Sequence, residues 1–488
     1  MICFLEIFSN IFSVYKKSSE YQNCIASYEN ANSVSLDDFI YYDKLGEGGF
    51  GTVIKCRKKS TGRFYAMKIQ TKKDLLRSFR DDPSRVDYEV KAFIKSNHPY
   101  IINLDYSFQT PTLAIMILGL ADAGDLQDAI KASPNKRLSE ERAKFYAAEI
   151  ALALNHMHGM GLLYRDLKPS NVLLGQDGHC FLSDLGGVID ESGLALNDCC
   201  PSPFKPESNQ DIDNNDLSVT ATNMSGTAKP SPSSTQKPKA KRRFSVMGTY
   251  GYMAPEMVAL LSRPINKNYS FSVDWFSYGV TLYKLLTGRM PFEEELFDEF
   301  VERARCFEDS GNNDNGNLFD DIDFPYYLSQ NAIDIIKQLL SADEKKRLGS
   351  TEGGFTKIQQ HPFFQNIDFD LLLTRNVVPP FIPTNSTTES IDSESCTDNF
   401  SSAMEKIQKS DLLALPSLCT EENKYFQHFD YINPTVLKTE FGIANEYKQY
   451  HRCAKVKRLL GGSSSEEDAN IISKDCEQQL PPSPHKDG

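Results

Sequence analysis

Three glycines, Gly46, Gly48 and Gly51, stand in GxGxxG spacing within LGEGGFGTV, with Val53 following. The same letters serve dinucleotide-binding turns, where a helix opens directly behind them. Here strand-like alternation flanks the glycines on both sides, which predicts a hairpin lid over phosphates. Glycine suits such a lid because a side chain would hold the backbone amides away from phosphate oxygens. Lys68, in YAMKI on the next predicted strand, can bridge two phosphates, and Glu89 on the predicted helix after it supplies a counter-charge. A buried lysine without one tends to lose its proton. Further along come LLYRDLKPSNVLL and FLSDLGG. Asp166 can orient a hydroxyl and accept its proton, and Lys168 can neutralise charge developing on a moving phosphoryl group. Asn171 and Asp184 offer the hard oxygen ligands that Mg²⁺ takes. Each residue alone reads as a solvated charge, whereas the ordered set points to phosphoryl-transfer chemistry.

These groups need two kinds of scaffold. From Asp38 to Lys73 the alternation and Gly punctuation predict a small antiparallel sheet. Helical periodicity follows from Ser84 to Ser96, and LAIMILGL reads as a buried strand ending at a Gly-bearing hinge. Beyond it, ERAKFYAAEIALALNHMHGMG and DWFSYGVTLYKLLTG predict long helices closed by glycine. The expectation is an α+β fold with a small β-rich lobe and a larger α-helical lobe. Between Asp190 and Lys241 the chain turns to Ser, Pro, Asn, Asp and Lys with few aromatics, which predicts a disordered insertion. The organisation expected is an extension over 1–37, a catalytic domain over 38–364 with the insertion at 190–241, a tail over 365–440, and a polar segment over 441–488.

The 488 residues carry a net charge of -13 and are 40% hydrophobic, which is ample for a core. The acidic balance argues against specific nucleic-acid partners. Eleven cysteines lie scattered without CxxC pairs, so neither a zinc module nor a secreted disulfide framework is expected, and a reducing cytoplasm or nucleus fits best. MICFLEIFSNIFSVYKK has Glu6 inside its apolar run and Lys16 and Lys17 behind it, a poor signal peptide and too short a span. Two readings of this terminus stay open. One is an interfacial helix with Ile2, Leu5, Phe8 and Phe12 on one face and Cys3 as an acylation site, which would make the chain a peripheral membrane protein. The other is a helix packed on the domain, or a disordered tail. Ile2 excludes myristoylation, which requires glycine there.

With these motifs in order, Phe39 to Phe364 resembles a eukaryotic protein kinase domain. The resemblance implies ATP with Mg²⁺ as cofactor and protein hydroxyls as substrates. It implies an ATP site from Leu45, Gly46, Glu47, Gly48, Gly49, Phe50, Gly51, Thr52 and Val53 of the lid, Ala66 and Lys68 behind it, and Leu118, Gly119, Ala121 and Asp125 at the hinge. MGTYGYMAPE would end the activation segment, with Glu256 paired to Arg347 of EKKRLG. Lys168 in DLKPSN and Thr249 in GTYGY resemble serine/threonine rather than tyrosine kinases. Within the superfamily the chain resembles the AGC group, through Tyr164 before the RD pair, VPPFIP at Val378 to Pro383, and FQHFDY at Phe426 to Tyr431. The last implies a hydrophobic motif in which Phe426 and Phe429 dock on the small lobe, with Asp430 where many relatives carry a phosphate. DLG, KFYAAEI and GTYGYMAPE are nearest to the G-protein-coupled receptor kinase branch, although the stretch before Phe39 leaves no room for that branch's regulatory domain.

Ser245 aligns with the group's activation-loop phosphoacceptor, so an upstream activating kinase is an expected partner, and Arg165 and Arg85 could grip the phosphate. KAKRRFS presents basic residues just ahead of that serine, as basophilic kinases prefer, and KPKAKRR reads also as a nuclear-import patch or a solvated charge run. Where relatives that demand upstream arginine place carboxylates, this chain has Ser170 and Lys284, so a weak arginine preference, with Asp125 still contributing, and tolerance for acidic targets are expected. The competing reading is a catalytically inactive kinase-fold scaffold. Its mark would be loss of Lys68, Asp166 or Asp184, and all three are present. A metabolic kinase is disfavoured by the activation segment and the tail.

Overall fold

A computed structural model describes residues 34–48, 51–80, 82–190, 248–262, 270–293, 299, 301, 322–351, 353–383 and 418–436. Gly49, Phe50 and Ser245, together with 1–33, 191–241 and 441–488, lie outside the described residues. The chain divides into two units, Met1–Tyr431 and Ile432–Gly488, and the first carries both lobes.

The first three strands are β1 (Phe39–Gly48), β2 (Gly51–Lys58) and β3 (Phe64–Thr71), and β4 (Leu104–Gln109) and β5 (Leu113–Gly119) follow the first helices. They pair antiparallel in the order β1-β2-β3-β5-β4. Period-two alternation gives this sheet two different faces. Ile54, Cys56, Met67, Ile69, Ile115 and Ile117 fill the buried face. Directly opposed residues share a face, so the register Gly46↔Val53, Val53↔Lys68 and Lys68↔Met116 lays one row across the other. Ala66↔Leu118 falls beside it on the same side. Gly51 closes the hairpin at φ +110, and a Cβ there would meet Ile69 O at 2.2 Å, so no larger residue fits.

Helix α1 (Lys72–Ser78) starts where β3 ends, and α2 (Tyr88–Lys95) carries Glu89. The helix predicted from Ser84 is shorter than expected. Pro83–Arg85 forms a separate 3₁₀ turn, and α2 begins only after Asp87, a residue type that favours the position ahead of a first turn. Arg85 therefore lies off the helix.

The large lobe is organised by α3 (Leu126–Ala132), α4 (Glu140–Gly159), α5 (Pro255–Ser262), α6 (Ser272–Thr287) and α7 (Gln330–Leu339). Ser139 caps α4 by accepting from Arg142 N, and Gly288 at φ 76 ends α6. Nearly every residue of α6 is buried, as a central helix apolar on all sides requires. Among the described residues, four short strand pieces lie between α4 and α5: β6 (Leu162–Leu163), β7 (Val172–Leu174), β8 (Cys180–Leu182) and β9 (Ile189–Asp190), with β9 paired to β6 and β8 to β7.

His98, between α2 and β4, stacks on His156 of α4 with ring centroids 4.9 Å apart, and Tyr100 N donates to its Nδ1. Burial, reinforced by the neighbouring imidazole, pushes His98 down to about 4. Below its ordinary pKa the unfolded chain binds a proton that the folded chain refuses. Stability is therefore complete above about pH 6.5 and falls as the pH drops toward 4, by roughly 3 kcal/mol from this group. Urea midpoints of wild type and His98→Gln at pH 7 and 4.5 should show a shallower acid loss in the variant; equal losses would contradict this.

Candidate active site

The face of the sheet that carries Gly46, Val53, Ala66 and Lys68 looks onto the chain that follows α4. Lys68 Nζ lies 2.6 Å from Glu89 Oε1 and 3.5 Å from Asp184 Oδ1. Burial opposes the lysine's charge, but Glu89 and Asp184 overcome that and raise its pKa above the ordinary value. Burial in turn pushes the Glu89 carboxyl up, with Lys68 opposing. A lone buried charge would be expensive, whereas this pair satisfies itself at contact distance.

The second cluster forms around Asp166. Its Oδ2 accepts from Lys168 Nζ at 2.9 Å and Asn171 Nδ2 at 3.0 Å, and its Oδ1 from Thr249 Oγ1 at 2.7 Å. Lys168 Nζ also reaches Thr249 Oγ1 at 2.7 Å. The chain here is strained: Arg165 at φ 70 and Asp184 at φ 52 are left-handed without being glycine. Such conformations cost about 1–3 kcal/mol and persist only where the surroundings over-determine them.

What holds Arg165 was not foreseen from sequence. Asp274 of α6, fully buried, accepts from Tyr164 N at 2.9 Å and Arg165 N at 2.7 Å and contacts His158 Nε2 at 2.9 Å. The Arg165 side chain donates from Nε to Gly187 O at 2.7 Å, tying the Asp166 segment to the one after Asp184. The Tyr164 hydroxyl donates to Ser183 O at 2.6 Å, one residue before Asp184. Glu149 of α4, also buried, contacts His179 Nδ1 at 2.5 Å and accepts from Cys180 N at 2.8 Å, anchoring β8. No periodicity marks Asp274 or Glu149 as special, since each is one acidic residue in a buried helix.

The remaining predicted residues fall as follows. Leu118 and Gly119 end β5, Gly119 N bonds Asn103 O, and Ala121 follows in the link to α3. Asp125 caps α3, its Oδ1 accepting from Asp128 N at 2.8 Å. Burial raises its carboxyl. Leu45 is largely exposed beside Gly46. Glu47 and Thr52 oppose each other one position out of register with Lys68, so their side chains face away from its row, and Glu47 pairs with Lys44. Gly48 ends β1 opposite Gly51. Arg85 stacks its guanidinium over Tyr88 and Phe79. Phe426 and Phe429 are buried; Gln109 donates to Phe426 O at 2.8 Å and Ser107 Oγ to Phe429 O at 2.5 Å. The tail thus sits on β4, with Lys72 of α1 4.9 Å above the Phe426 ring. Asp430 lies 3.3 Å from Gln109 Nε2, and burial raises its carboxyl while Gln109 and Lys72 lower it. Glu256 and Arg347 form a bidentate pair at 2.6 and 3.0 Å.

The family described as Protein kinase domain matches residues 39–200 and 226–364. Among curated proteins, the RAC family serine/threonine-protein kinase homolog of Dictyostelium discoideum is 32% identical over 73% of this chain and 64% of its own. Protein kinase C eta type of Homo sapiens is 32% identical over 86% of this chain and 51% of its own. G protein-coupled receptor kinase 2 of Caenorhabditis elegans is 32% identical over 72% and 41% respectively. The chain thus spans less than two thirds of the length of these relatives.

Proposed function

The chain belongs to the protein kinase family, its relatives there being AGC-group kinases, and from that premise we propose that it moves the γ-phosphoryl group of Mg-ATP to serine and threonine hydroxyls of proteins. The family uses ATP and Mg²⁺ on protein substrates generally. The observation that carries the reading is Lys68 held between Glu89 and Asp184 while Asp166 is fixed by three donors.

The residues present suit the metal. Asp184 Oδ1 is buried and, among the described residues, accepts no hydrogen bond; its near cation is Lys68 at 3.5 Å. Asn171 spends its amide nitrogen on Asp166, which leaves its oxygen as the second hard donor. Asp184 and Asn171 would hold Mg²⁺, whose bound charge offsets that of the phosphates. Asp166 orients the acceptor hydroxyl and takes up its proton. Lys168, 2.9 Å away, and Lys68 compensate the negative charge that builds as the phosphoryl group moves. Thr249 holds Asp166 and Lys168 at a fixed spacing. A residue at Gly186 would crowd this arrangement, since its Cβ would come within 3.3 Å of Asp184 Oδ1.

The reading is tested by supplying γ-labelled ATP, Mg²⁺ and a generic acceptor protein, then hydrolysing the product. Label on phosphoserine and phosphothreonine is expected; label confined to phosphotyrosine or inorganic phosphate would count against it.

We further propose that the tail keeps α2 in its working position without a phosphate, because Asp430 already places a carboxyl beside Gln109 and Lys72. Phe426→Ala combined with Phe429→Ala should lower phosphoryl transfer at least about tenfold, which requires only ~1.4 kcal/mol of lost positioning. Unchanged turnover in a folded double variant would refute it.

A further inference from the structure

Lys55 of β2 opposes Ala66, and Ala66 opposes Leu118, so the Lys55 side chain leaves the sheet on the face that carries Val53 and Lys68. It ends at the rim of the cleft, where its Nζ lies 2.9 Å from Asp122 Oδ2. Asp122 follows β5 in the link to α3, and that link is fastened to the large lobe. Ala123 N donates to Leu174 O at 3.0 Å, Leu174 N donates to Gly124 O at 2.8 Å, and Asp125 pairs antiparallel with Leu173 of β7. The two charges therefore belong to different lobes. One rides on the lid hairpin, the other on the chain anchored to β7.

Both partners are held in place. The Lys55 ammonium lies 5.4 Å from the centre of the Phe64 ring, which restricts where it can go. On the other side Gln176, in the turn between β7 and β8, reaches Asp122 O at 3.5 Å. Burial pushes the Asp122 carboxyl up, but the Lys55 and Gln176 side chains outweigh it and hold the carboxyl below its ordinary range. The two side chains keep 29% and 26% exposure, so the pair is partly wet and adds little to folding stability. Its consequence lies in motion. Inside the cleft Lys68 reaches Asp184 at 3.5 Å, and Lys55 with Asp122 makes a second ionic link between the lobes at the cleft's edge. A nucleotide leaves only when the lid lifts, and lifting carries Lys55 away from Asp122.

We propose that Lys55 and Asp122 are positioning residues whose ion pair latches the lid hairpin to the large lobe over bound nucleotide and so slows departure of the nucleoside diphosphate product. The proposal rests on the kinase reading above. The latch acts on the lid, so release changes with it while the transfer step does not. Because the link is ionic and partly wet, dissolved salt weakens it.

The test uses the full chain, Mg²⁺ and a fluorescent ADP analogue, whose release is followed on displacement by excess unlabelled ADP. Lys55→Met keeps the stem beside Phe64 and removes the charge. It should release the analogue about three- to fivefold faster, with single-turnover phosphoryl transfer within about twofold of wild type. Asp122→Asn should do the same. Lys55→Arg should release as slowly as wild type, and the exchanged pair, Lys55→Asp with Asp122→Lys, should recover the slow release that either half alone loses. Raising NaCl from about 50 to about 500 mM should speed release from wild type and leave Lys55→Met unchanged. Release from Lys55→Met at the wild-type rate, or an exchanged pair as fast as either half, would overturn the inference while leaving catalysis standing. A wild type that neither retains the analogue nor transfers phosphate would remove the kinase reading and this inference together.

Discussion

Lys68→Met should lower phosphoryl transfer about a thousandfold, the scale expected when a preorganised charge is removed from a water-poor site. Methionine keeps most of the apolar stem, so β3 and its partners Val53 and Met116 retain their packing. What disappears is the ammonium 2.6 Å from Glu89 and 3.5 Å from Asp184. Two carboxyls would then face each other with no cation between them. Burial already pushes Glu89 up, so without Lys68 it takes a proton, and nothing fixes α2 against Asp184. The loss should appear in kcat rather than in KM alone, because the missing charge acts on the group in transit. Single-turnover transfer measured beside a denaturant curve separates chemistry from folding. A folded variant within tenfold of wild type would contradict the role given to Lys68.

Arg347→Ala should destabilise the large lobe by about 3–5 kcal/mol, the cost of removing one partner of a buried ion pair. The arginine side chain is 0% exposed and that of Glu256 6%. Besides both Glu256 oxygens, the guanidinium serves Ser341 O at 3.0 Å and Ser272 O at 2.9 Å. Its loss strands a carboxylate and two carbonyls in the interior. Lysine at this position should recover little, because one ammonium cannot reproduce the planar fork. Urea unfolding followed by fluorescence of the single tryptophan, Trp275, reads the change, since Trp275 lies on the same helix as Ser272. A loss below about 1 kcal/mol would show that the pair contributes little to this lobe.

Lys68, Glu89, Asp166, Lys168, Asn171 and Asp184 were legible because each sits at a definite place in a strand, helix or turn whose type the local pattern already predicts. The antiparallel sheet from Asp38 to Lys73 and the two long buried helices were legible for the same reason. Distant contacts were legible only where a motif of the resembled family announced them, as for Glu256 with Arg347 and for Phe426 and Phe429 on β4; the others were not. Asp274 on α6 holds Tyr164, Arg165 and His158, more than a hundred residues earlier, and only the packed lobe brings them together. Thr249 was read as a mark of substrate class, whereas its hydroxyl bridges Asp166 and Lys168. Glu149 lies in the run ERAKFYAAEIALALNHMHGMG with nothing local to set it apart, yet it is buried against His179 and Cys180. The start of α2 was misplaced because apolar periodicity runs through Val86 while Pro83 and Asp87 break the helix into a 3₁₀ turn and a shorter α-helix.

The central claim is that side chains from both lobes converge on one metal-bound nucleotide and work as a set. It is tested most directly by measuring transfer of labelled γ-phosphate to protein serine and threonine with wild type and Asp184→Asn side by side, at equal concentration and with equal folding verified. The account predicts sustained, Mg²⁺-dependent incorporation by wild type and none above background by the variant. Equal incorporation by the two, or incorporation by wild type that survives removal of Mg²⁺, would contradict it.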